Sequence, residues 1–434
     1  MRKLFFDKDK MHGKYLDILS DIELKDFDGY DIRSILFNDI WFSFNMKFTY
    51  VIKHLLAKIS TKYLALNETC NVTDKFLLFT FHYNRKDHDE YWDNFKQISN
   101  IKNEIELQYK YSYRINKELI GNVYKFAKIF SALDKIKLLK SRIWLSLQLL
   151  VALKIISKLE ATHREYNAVF MFYDGGFEGN IVSQFYKQQG ATTITLQHGQ
   201  CLYRDKNHDR INQSVILNFI SDYCICKGEF AKKQFIKAGF DESRLLPLGN
   251  LDFSDELYEG IITEDEKKAL CVFLDTPSYP FYKESTKQLI DAANFFCKEY
   301  DFIYFIKPHP ADKEKSYLES INRKYCKEIL DSNHSLDEIG IRIDFSIFHA
   351  SAIYADLLLR NIKAYKLVTE INFDIVLDEF DTFTSIDELH EKNEIWINTD
   401  VSKKYAFFKE QNELYSNPYD VKRRYQDFIK SLDD

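Results

Sequence analysis

The sequence predicts an α/β protein with two doubly wound parallel sheets, one in each half of the chain. Short apolar runs alternate with helical patterns of about 10–15 residues, which is typical of βαβ units. This alternation stops at the acidic stretch 252–269 and then begins again. The chain of 434 residues is also too long for one ordinary core, so its length favours two domains.

The first half begins with a helix-rich, aromatic region that contains one clear strand pattern, KFLLFTFHY at 75–83. The alternation starts with NAVFMFYDGG, followed by a helical pattern that ends at Gly190. The strand TTITLQHG comes next, and SVILNFISDYCICKG contains another. A further helical pattern ends at Gly239, before the short strand of SRLLPLGN. Glycine often ends a helix because it adopts the left-handed conformation readily. We predict that residues 1–255 form the first domain.

The second half repeats the alternation. Its predicted strands are LCVFLDTPSYP, DFIYFIKPHP, IRIDFSIFHA and KAYKLV. The helical patterns STKQLIDAANFFCKEY, KEKSYLESINRKYC and SAIYADLLLRN lie between them. We predict a second Rossmann-like domain over residues 256–402. The tail, 403–434, has a helical pattern, and we expect it to pack back on the first domain.

Composition excludes several classes of protein. The net charge of −6 is spread along the chain and does not indicate a nucleic-acid binder. The seven cysteines are scattered and form no CxxC, which favours reduced thiols over disulfides or a zinc site. The first residues lack the apolar core of a signal peptide, so we expect a cytoplasmic protein. The 11 histidines include no HxxxH or HExxH spacing, and we expect no metal and no cofactor.

The segment KIKLLKSRIWLSLQLLVALKIISKL, 135–159, has two interpretations. Its apolar centre of about 14 residues is too short to span a bilayer, which needs about 20. One interpretation is a buried core helix. The other is a basic amphipathic helix that makes peripheral contact with an anionic membrane face, because lysine and arginine side chains flank the apolar centre.

Unusual residues follow four of the predicted strands. They are YDGGFEGN at 173–180, LQHGQ at 196–200, KPHP at 307–310 and HASA at 349–352. In open parallel sheets, ligands bind beyond the carboxyl ends of the strands. The coincidence of the four motifs at such ends therefore indicates a ligand site more strongly than any one of them.

The two prolines of KPHP fix the backbone on both sides of His309. The imidazole is then held in one direction, and Lys307 adds a second positive charge. This pair suits a nucleotide phosphate leaving group, whose negative charge grows as its bond breaks. In HASAIYADLLL, Ser351 opens a helix whose free N–H groups and dipole favour an anion. Asp356, on the same helix, either accepts from a ribose hydroxyl or faces solvent.

Two further motifs lie in the first half. In YDGG, Asp174 precedes two glycines that let the backbone approach a ligand. Its carboxylate is a base, a group that orients another residue, or a helix cap. His198, at the end of TTITLQHG, is an economical general base for a hydroxyl acceptor, and Gly199 leaves room for that acceptor. A core histidine bonded to a backbone carbonyl is the alternative.

Together these motifs resemble those of bacterial surface-polysaccharide glycosyltransferases of the two-domain GT-B type, over residues 168–367. LQHG resembles the acceptor-side motif of capsule and teichoic-acid polymerases related to the CDP-glycerol glycerophosphotransferases. KPHP and HASAIYAD resemble their donor-side His-Pro and Ser motifs. Bacterial sialyl- and polysialyltransferases carry a similar trio, which YDGG, KPHP and HASA match. Two positions depart from these patterns: Ala352 stands where a serine pair is usual, and Tyr173 replaces the first of two acids.

The resemblance implies a GT-B fold, with two Rossmann-like domains facing a cleft, and a role for each matched residue. His198 would be the general base, with Asp174 as its rival. His309 and Lys307 would hold the donor phosphate. The remaining implied residues are Ser351, His349 and Asp356 on the donor side, and Gly175, Gly199, Gln197 and Arg204 on the acceptor side.

The implied reaction is inverting, metal-independent transfer of a sugar from a CMP-, CDP- or UDP-linked donor. The acceptor would be a hydroxyl of a surface polysaccharide, a lipooligosaccharide or another lipid-linked saccharide. Transfer of a polyol phosphate, such as glycerol or ribitol phosphate from a CDP-linked donor, is the alternative. A sugar-nucleotide epimerase and a non-catalytic nucleotide-binding protein are two further alternatives.

Overall fold

The computed structural model describes residues 8–59, 63–69, 75–81, 86–110, 117–162, 164–197, 218–251, 268–275, 282–309, 316–331, 334, 336–340, 342–351, 353–369, 376 and 379–433. The chain divides into two compact units. Unit 1 comprises Met1–Lys227, Ala231–Asp252 and Asp420–Asp434. Unit 2 comprises Gly228–Phe230 and Phe253–Tyr419.

In the described part of unit 1, the strands form one sheet. They are β1 (Tyr63–Thr69), β2 (Phe76–Phe81), β3 (Asn103–Lys110), β4 (Ala168–Met171), β5 (Thr192–Leu196), β6 (Tyr223–Ile225) and β7 (Leu245–Leu246). Their order is β1-β3-β2-β4-β5-β6-β7, and every neighbouring pair is parallel except β1 and β3. The strand order changes direction between β2 and β4, which defines the switch point of a doubly wound sheet.

Helices cover this sheet. They are α1 (Lys8–Ser20), α2 (Ile32–Ile35), α3 (Phe37–Asn45), α4 (Phe48–Ile59), α5 (Lys86–Ser99), α6 (Lys117–Ala132), α7 (Leu139–Thr162), α8 (Phe177–Gln188) and α9 (Glu229–Lys237), the last shared with unit 2 at its first residues. One core cluster joins α1, α2, α3, α7 and α8 to the strands, and a second lies on the other face of the sheet.

Helix α7 contains most of the segment with two interpretations. Its buried side chains run from Ser141 to Leu159 and surround the helix, which contacts α3, α4, α6 and α8. Two of its basic side chains contact neighbouring helices of unit 1. Lys140 donates to the carbonyls of Phe44 and Met46, and the Arg142 guanidinium lies 4.0 Å from the centroid of the Phe130 ring. The structure therefore shows a buried core helix over most of α7, whose first residue, Leu139, is exposed. No described helix is long and apolar enough to cross one.

The strands of unit 2 in the described residues are β8 (Ala269–Phe273), β9 (Ile303–Lys307), β10 (Cys326–Ile329), β11 (Phe345–Phe348), β12 (Ala364–Leu367) and β13 (Thr382–Phe383). They form a parallel sheet in the order β10-β9-β8-β11-β12-β13. This is the strand order 3-2-1-4-5-6 of the Rossmann fold, and its switch point lies between β8 and β11.

Within its described residues, unit 2 has the α-helices α10 (Tyr282–Tyr300), α11 (Leu336–Gly340), α12 (Ile353–Leu359), α13 (Ile386–Ile397) and α14 (Val401–Tyr415). The final helix, α15 (Val421–Ser431), belongs to unit 1, where it contacts α5. Arg424 and Tyr425 of α15 donate to the carbonyls of Leu248 and Gly249, 2.9 and 3.1 Å away. The predicted fold class, two doubly wound α/β units with a helix-rich N-terminal part, is confirmed.

Candidate functional site

Four neighbouring strands of unit 2 carry polar residues at their carboxyl ends or within two residues of them. Lys307 ends β9, Asp275 follows β8, His349 follows β11 and Thr369 follows β12. Parallel strands bring these ends to one edge of the sheet, and β8 and β11 flank its switch point. The residues thus surround the position where open α/β sheets bind ligands.

A buried carboxylate and a buried imidazole form the centre of this group. Asp275 and His349 are 0% and 1% exposed, and Nδ1 of His349 lies 2.9 Å from Oδ2 of Asp275. The same Oδ2 accepts from the Ser285 hydroxyl at 2.8 Å, while Oδ1 accepts from the Ala350 N–H at 2.8 Å. Nε2 of His349 lies 2.9 Å from Oγ1 of Thr369. These bonds join the ends of β8, β11 and β12.

Both residues of KPHP that the sequence singles out are half-buried at the end of β9. The Lys307 ammonium donates to the carbonyls of Asp331 and His334, the second at 3.1 Å. Burial lowers the pKa of Lys307 below its ordinary value, and the charge of Asp331 opposes this effect. Lys307 therefore fixes the loop after β10 and places one positive charge beside the switch point. His309 lies two residues further along.

Ser351 caps helix α12. Its hydroxyl oxygen accepts from the N–H of Ile353 at 3.3 Å, and the helix that follows has seven residues. Asp356 is half-buried on that helix. The structure thus places His349, Ser351 and Asp356 on the segment that runs from β11 into α12. Strand β9, whose carboxyl end carries Lys307 and His309, is separated from β11 by the single strand β8.

In unit 1, Asp174 follows β4 at the corresponding switch point. It is 0% exposed, and its Oδ2 accepts from the N–H groups of Ile220 and Ser221 at 3.0 and 2.6 Å and from the Ser221 hydroxyl at 2.5 Å. Within the described residues, Oδ1 is buried without a hydrogen-bond partner. Burial raises the pKa of Asp174, and the bonds from Ser221 and Ile220 oppose the rise. This carboxylate ties the end of β4 to the chain that enters β6.

Side-chain amides hold the loop after Asp174. Asn38 of α3 donates to the Gly175 carbonyl at 2.8 Å, and Asn218 donates to it at 3.4 Å. Asn218 also bonds to Ser34 of α2, whose hydroxyl accepts from Asn180 of α8 at 2.9 Å. Helices that precede the first parallel strand thereby support the carboxyl edge of β4.

Gln197 links two strands at the same edge. It is 2% exposed, its N–H bonds to the Ile225 carbonyl, and its Oε1 accepts from the Lys227 N–H at 2.8 Å. The structure places Gly175, Asp174 and Gln197 at neighbouring strand ends of unit 1. Three predicted residues, His198, Gly199 and Arg204, lie outside the described residues.

Replacing Asp174 by Asn tests whether burial of its negative charge lowers the free energy of unfolding. The folded form holds the Asp174 proton to higher pH than the unfolded form, so its stability falls as pH rises above about 4, by up to about 1.4 kcal/mol per pH unit. Asp174→Asn keeps an acceptor for the two N–H groups and removes the charge. In urea titrations, the stability of this variant relative to wild type is expected to increase as the pH rises above about 4.

Asp174→Ala is the matched control. It leaves the N–H groups of Ile220 and Ser221 without their acceptor and is expected to lower stability at every pH, by about 1–3 kcal/mol. Parallel pH curves for wild type and Asp174→Asn would contradict the assignment of a raised pKa.

The sequence reasoning missed Asp275, Ser285 and Thr369 in unit 2 and Ser221 in unit 1. Asp275 had a signal, because it stands at the end of the strand LCVFLD in the same position that Asp174 takes after NAVFMFY. Thr369 and Ser221 had none, since their neighbours on the sheet come from distant parts of the chain. Within the described residues, no group of three or more His, Cys, Asp or Glu side chains is placed to hold a metal ion.

Two doubly wound units, each with buried polar residues at its switch point, define a protein of the Rossmann-like α/β class. No model of a protein family matches the sequence, and no curated protein matches it.

Solved structures resemble this one at low identity. UDP-N-acetylglucosamine 2-epimerase from Rickettsia bellii gives a TM-score of 0.48 at 14% identity, over 83% of this chain and 96% of that chain. The lipopolysaccharide outer core galactosyltransferase WaaB in its apo form gives 0.48 at 10% identity, over 82% and 99%. UDP-GlcNAc 2-epimerase from Neisseria meningitidis, bound to UDP-GlcNAc, gives 0.44 at 12% identity, over 82% and 99%.

Proposed function

We propose that the protein is an inverting, metal-independent glycosyltransferase that uses a nucleotide-sugar donor. The observation that carries the proposal is the hydrogen-bonded pair of Asp275 and His349 at the switch point of unit 2. Lys307 and His309 lie on one side of this pair, and Ser351 follows His349 by two residues. A rigid, partly buried edge with a cation suits the diphosphate of a leaving nucleotide, because preorganised positive groups stabilise the charge that develops on it.

On the acceptor side we propose His198 as the general base. Asp174, its rival, is fully buried and bonds to Ile220 and Ser221 through one oxygen, which favours a role in holding the edge of unit 1. The base takes the proton of an acceptor hydroxyl, whose oxygen attacks the anomeric carbon from the face opposite the nucleotide. The bond to the donor phosphate breaks, and Lys307 and His309 stabilise the departing anion. The acceptor we propose is a polysaccharide or lipid-linked saccharide of the bacterial surface.

A thermal-shift screen with CMP, CDP, UDP and GDP tests donor binding. At least one nucleotide is expected to raise the melting temperature, and His309→Asn is expected to weaken its binding about tenfold, the loss of one charge-assisted hydrogen bond. His390→Asn, which changes a histidine stacked on Tyr300 in the same unit, is the matched control and is expected to leave the ligand-induced shift unchanged. Stabilisation by none of the four nucleotides would contradict the proposal.

Product analysis separates the reactions that this fold supports. Transfer of a sugar from a UDP-linked donor releases UDP and requires an acceptor. Transfer of a polyol phosphate from a CDP-linked donor releases CMP, as a CMP-linked sugar donor also does, but it adds a phosphodiester instead of a sugar to the acceptor. An epimerase changes the sugar without any acceptor. His198→Ala is expected to abolish acceptor-dependent release of the nucleotide while leaving its binding intact, and unchanged turnover would show that His198 is not the base.

A further inference from the structure

Two neighbouring helices of unit 1 carry large apolar side chains that are exposed to solvent. On α6 these are Ile120, Val123 and Tyr124, which are 67%, 48% and 74% exposed. On α4 they are Phe48 and Ile52. Both helices pack on α7 and contact each other, so these side chains belong to one layer of the unit. We call this set of side chains the α4–α6 face.

The spacing along α6 separates this exposed stripe from the stripe that serves the core. Ile129 and Leu133 of α6 belong to a core cluster of unit 1. With about 3.6 residues per turn, Ile120, Val123 and Tyr124 recur at i, i+3 and i+4 and lie on the opposite side of the helix. A surface helix normally buries one apolar stripe and is polar on its other side. The fold of unit 1 therefore does not need the second stripe, and a cluster of this kind marks an interaction surface.

The charges beside the α4–α6 face are positive, although the whole protein has a net charge of −6. Lys47, directly before α4, Lys53 on α4 and Lys125 on α6 are all exposed. The segments 40–67 and 119–133 contain no acidic residue. Exposed apolar side chains flanked by lysines are typical of helices that lie in the headgroup region of an anionic bilayer.

We propose that the α4–α6 face docks the protein on a lipid bilayer that carries anionic headgroups. Phe48, Ile120 and Tyr124 enter the boundary between headgroups and acyl chains, where tyrosine is enriched in membrane proteins. The lysines then lie at the level of the headgroup phosphates. The docking surface is formed by α4 and α6, not by the largely buried α7. The inference rests on this surface alone and does not depend on the reaction proposed above.

A second copy of the chain fits this face less well than a bilayer does. A twofold contact places the same surface on both subunits, so the lysines of one copy would meet those of the other. Lysine is also depleted in protein interfaces, whereas arginine is enriched there. An anionic bilayer attracts every lysine near its surface and gains about fivefold in binding from each.

Cosedimentation with large vesicles measures the docking. Wild-type protein is expected to bind vesicles of phosphatidylcholine mixed with phosphatidylglycerol, and to bind pure phosphatidylcholine at least about tenfold more weakly. The double variant Ile120→Gln/Tyr124→Gln removes two apolar side chains from the lipid and is expected to weaken binding about tenfold or more. Glutamine has a high helix propensity and both positions are exposed, so the melting temperature is expected to stay that of wild type.

Ile395→Gln in α13 is the matched control for the loss of an apolar side chain. Ile395 is 51% exposed, but it lines a surface depression together with the acidic Glu394 and Asp400. This variant is expected to bind vesicles as wild type does. Lys53→Gln and Lys125→Gln are each expected to weaken binding about fivefold, and added salt is expected to weaken the binding of wild type.

A tryptophan placed on the face reports its contact with lipid directly. The emission of Ile120→Trp, relative to wild type, is expected to shift to shorter wavelength on addition of phosphatidylglycerol vesicles. Lipids with brominated acyl chains are expected to quench it. Ile395→Trp, in the other unit, is expected to show neither effect.

Three results would overturn the inference: no binding of wild type to phosphatidylglycerol vesicles, equal binding to pure phosphatidylcholine, or full binding by Ile120→Gln/Tyr124→Gln. A wild-type dimer in analytical ultracentrifugation that this double variant converts to a monomer, without vesicle binding by either, would assign the face to a second copy instead. Absence of nucleotide binding in the thermal-shift screen would remove the proposed function and leave this inference in place.

Discussion

Lys363→Met is expected to lower the free energy of unfolding of unit 2 by about 3–5 kcal/mol, because it removes one partner of a buried ion pair. The ammonium of Lys363 bonds to Asp381, and the two side chains are 1% and 0% exposed. Aromatic rings surround the ammonium, with the centroids of Phe407 and Trp396 at 4.1 and 4.3 Å. Methionine fills the same space, but Asp381 is left charged in an apolar site with the Tyr354 hydroxyl at 2.6 Å.

Urea unfolding followed by tryptophan fluorescence measures this loss, since Trp396 lies beside the substituted group. Lys287→Met is the matched control, because Lys287 forms an exposed ion pair with Asp291 and its loss is expected to cost less than about 0.5 kcal/mol. Combining Lys363→Met with Asp381→Asn is expected to recover much of the stability, because no buried charge then remains. If Lys363→Met were as stable as the Lys287→Met control, the buried pair of Lys363 and Asp381 would contribute nothing to stability.

Gly179→Ala is expected to destabilise unit 1 by about 2–3 kcal/mol, the cost of forcing a methyl group into a filled space. Gly179 lies in the first turn of α8, and a Cβ there would come within 2.1 Å of the Tyr173 carbonyl oxygen and 2.9 Å of the Asp174 Cα. Both are backbone atoms, so they can move only if the loop after β4 moves. The substitution is therefore also expected to displace the switch-point edge of unit 1.

Gly121→Ala in α6 is the matched control, because a Cβ at that helical position meets nothing within 4 Å. Alanine has the higher helix propensity, so this variant is expected to gain about 0.5–1 kcal/mol. Thermal unfolding of both variants compares a helical glycine that is needed for close packing with one that is not. An equal gain in Gly179→Ala would contradict the close approach of α8 to β4.

Some elements could not be found from the sequence for identifiable reasons. Strand β10 lies at the edge of its sheet and carries Lys327 and Glu328, so its hydrophobic pattern is weak. The pattern KEKSYLESINRKYC predicts a helix that ends at Cys326, the first residue of β10, and a connection after it. Strand β3 alternates charged and apolar residues within a region dominated by helical patterns. The predicted C-terminal helix is two helices, because the chain takes positive φ angles at Asn417 and Asp420 between α14 and α15.

For the candidate site, local pattern was sufficient wherever a motif follows a buried strand. The KPHP and HASA motifs and Asp174 all stand at carboxyl ends, as the alternation predicts. Local pattern could not show that His349 bonds to a carboxylate 74 positions away. It also left open whether Asp174 faces a ligand or the interior, and the three bonds from Ile220 and Ser221 show that one oxygen is committed to the fold.

The sequence by itself determined the fold class, the two-part organisation and the strand ends that carry polar residues, because hydrophobic periodicity and glycine stops are local properties of the chain. Tertiary structure alone decided which of those ends lie side by side. The order of strands in each sheet sets that adjacency, and it brings Asp275, His349 and Thr369 together from three separate segments. Burial, which depends on every layer packed around a residue, then shields Asp275 and His349 almost completely from solvent.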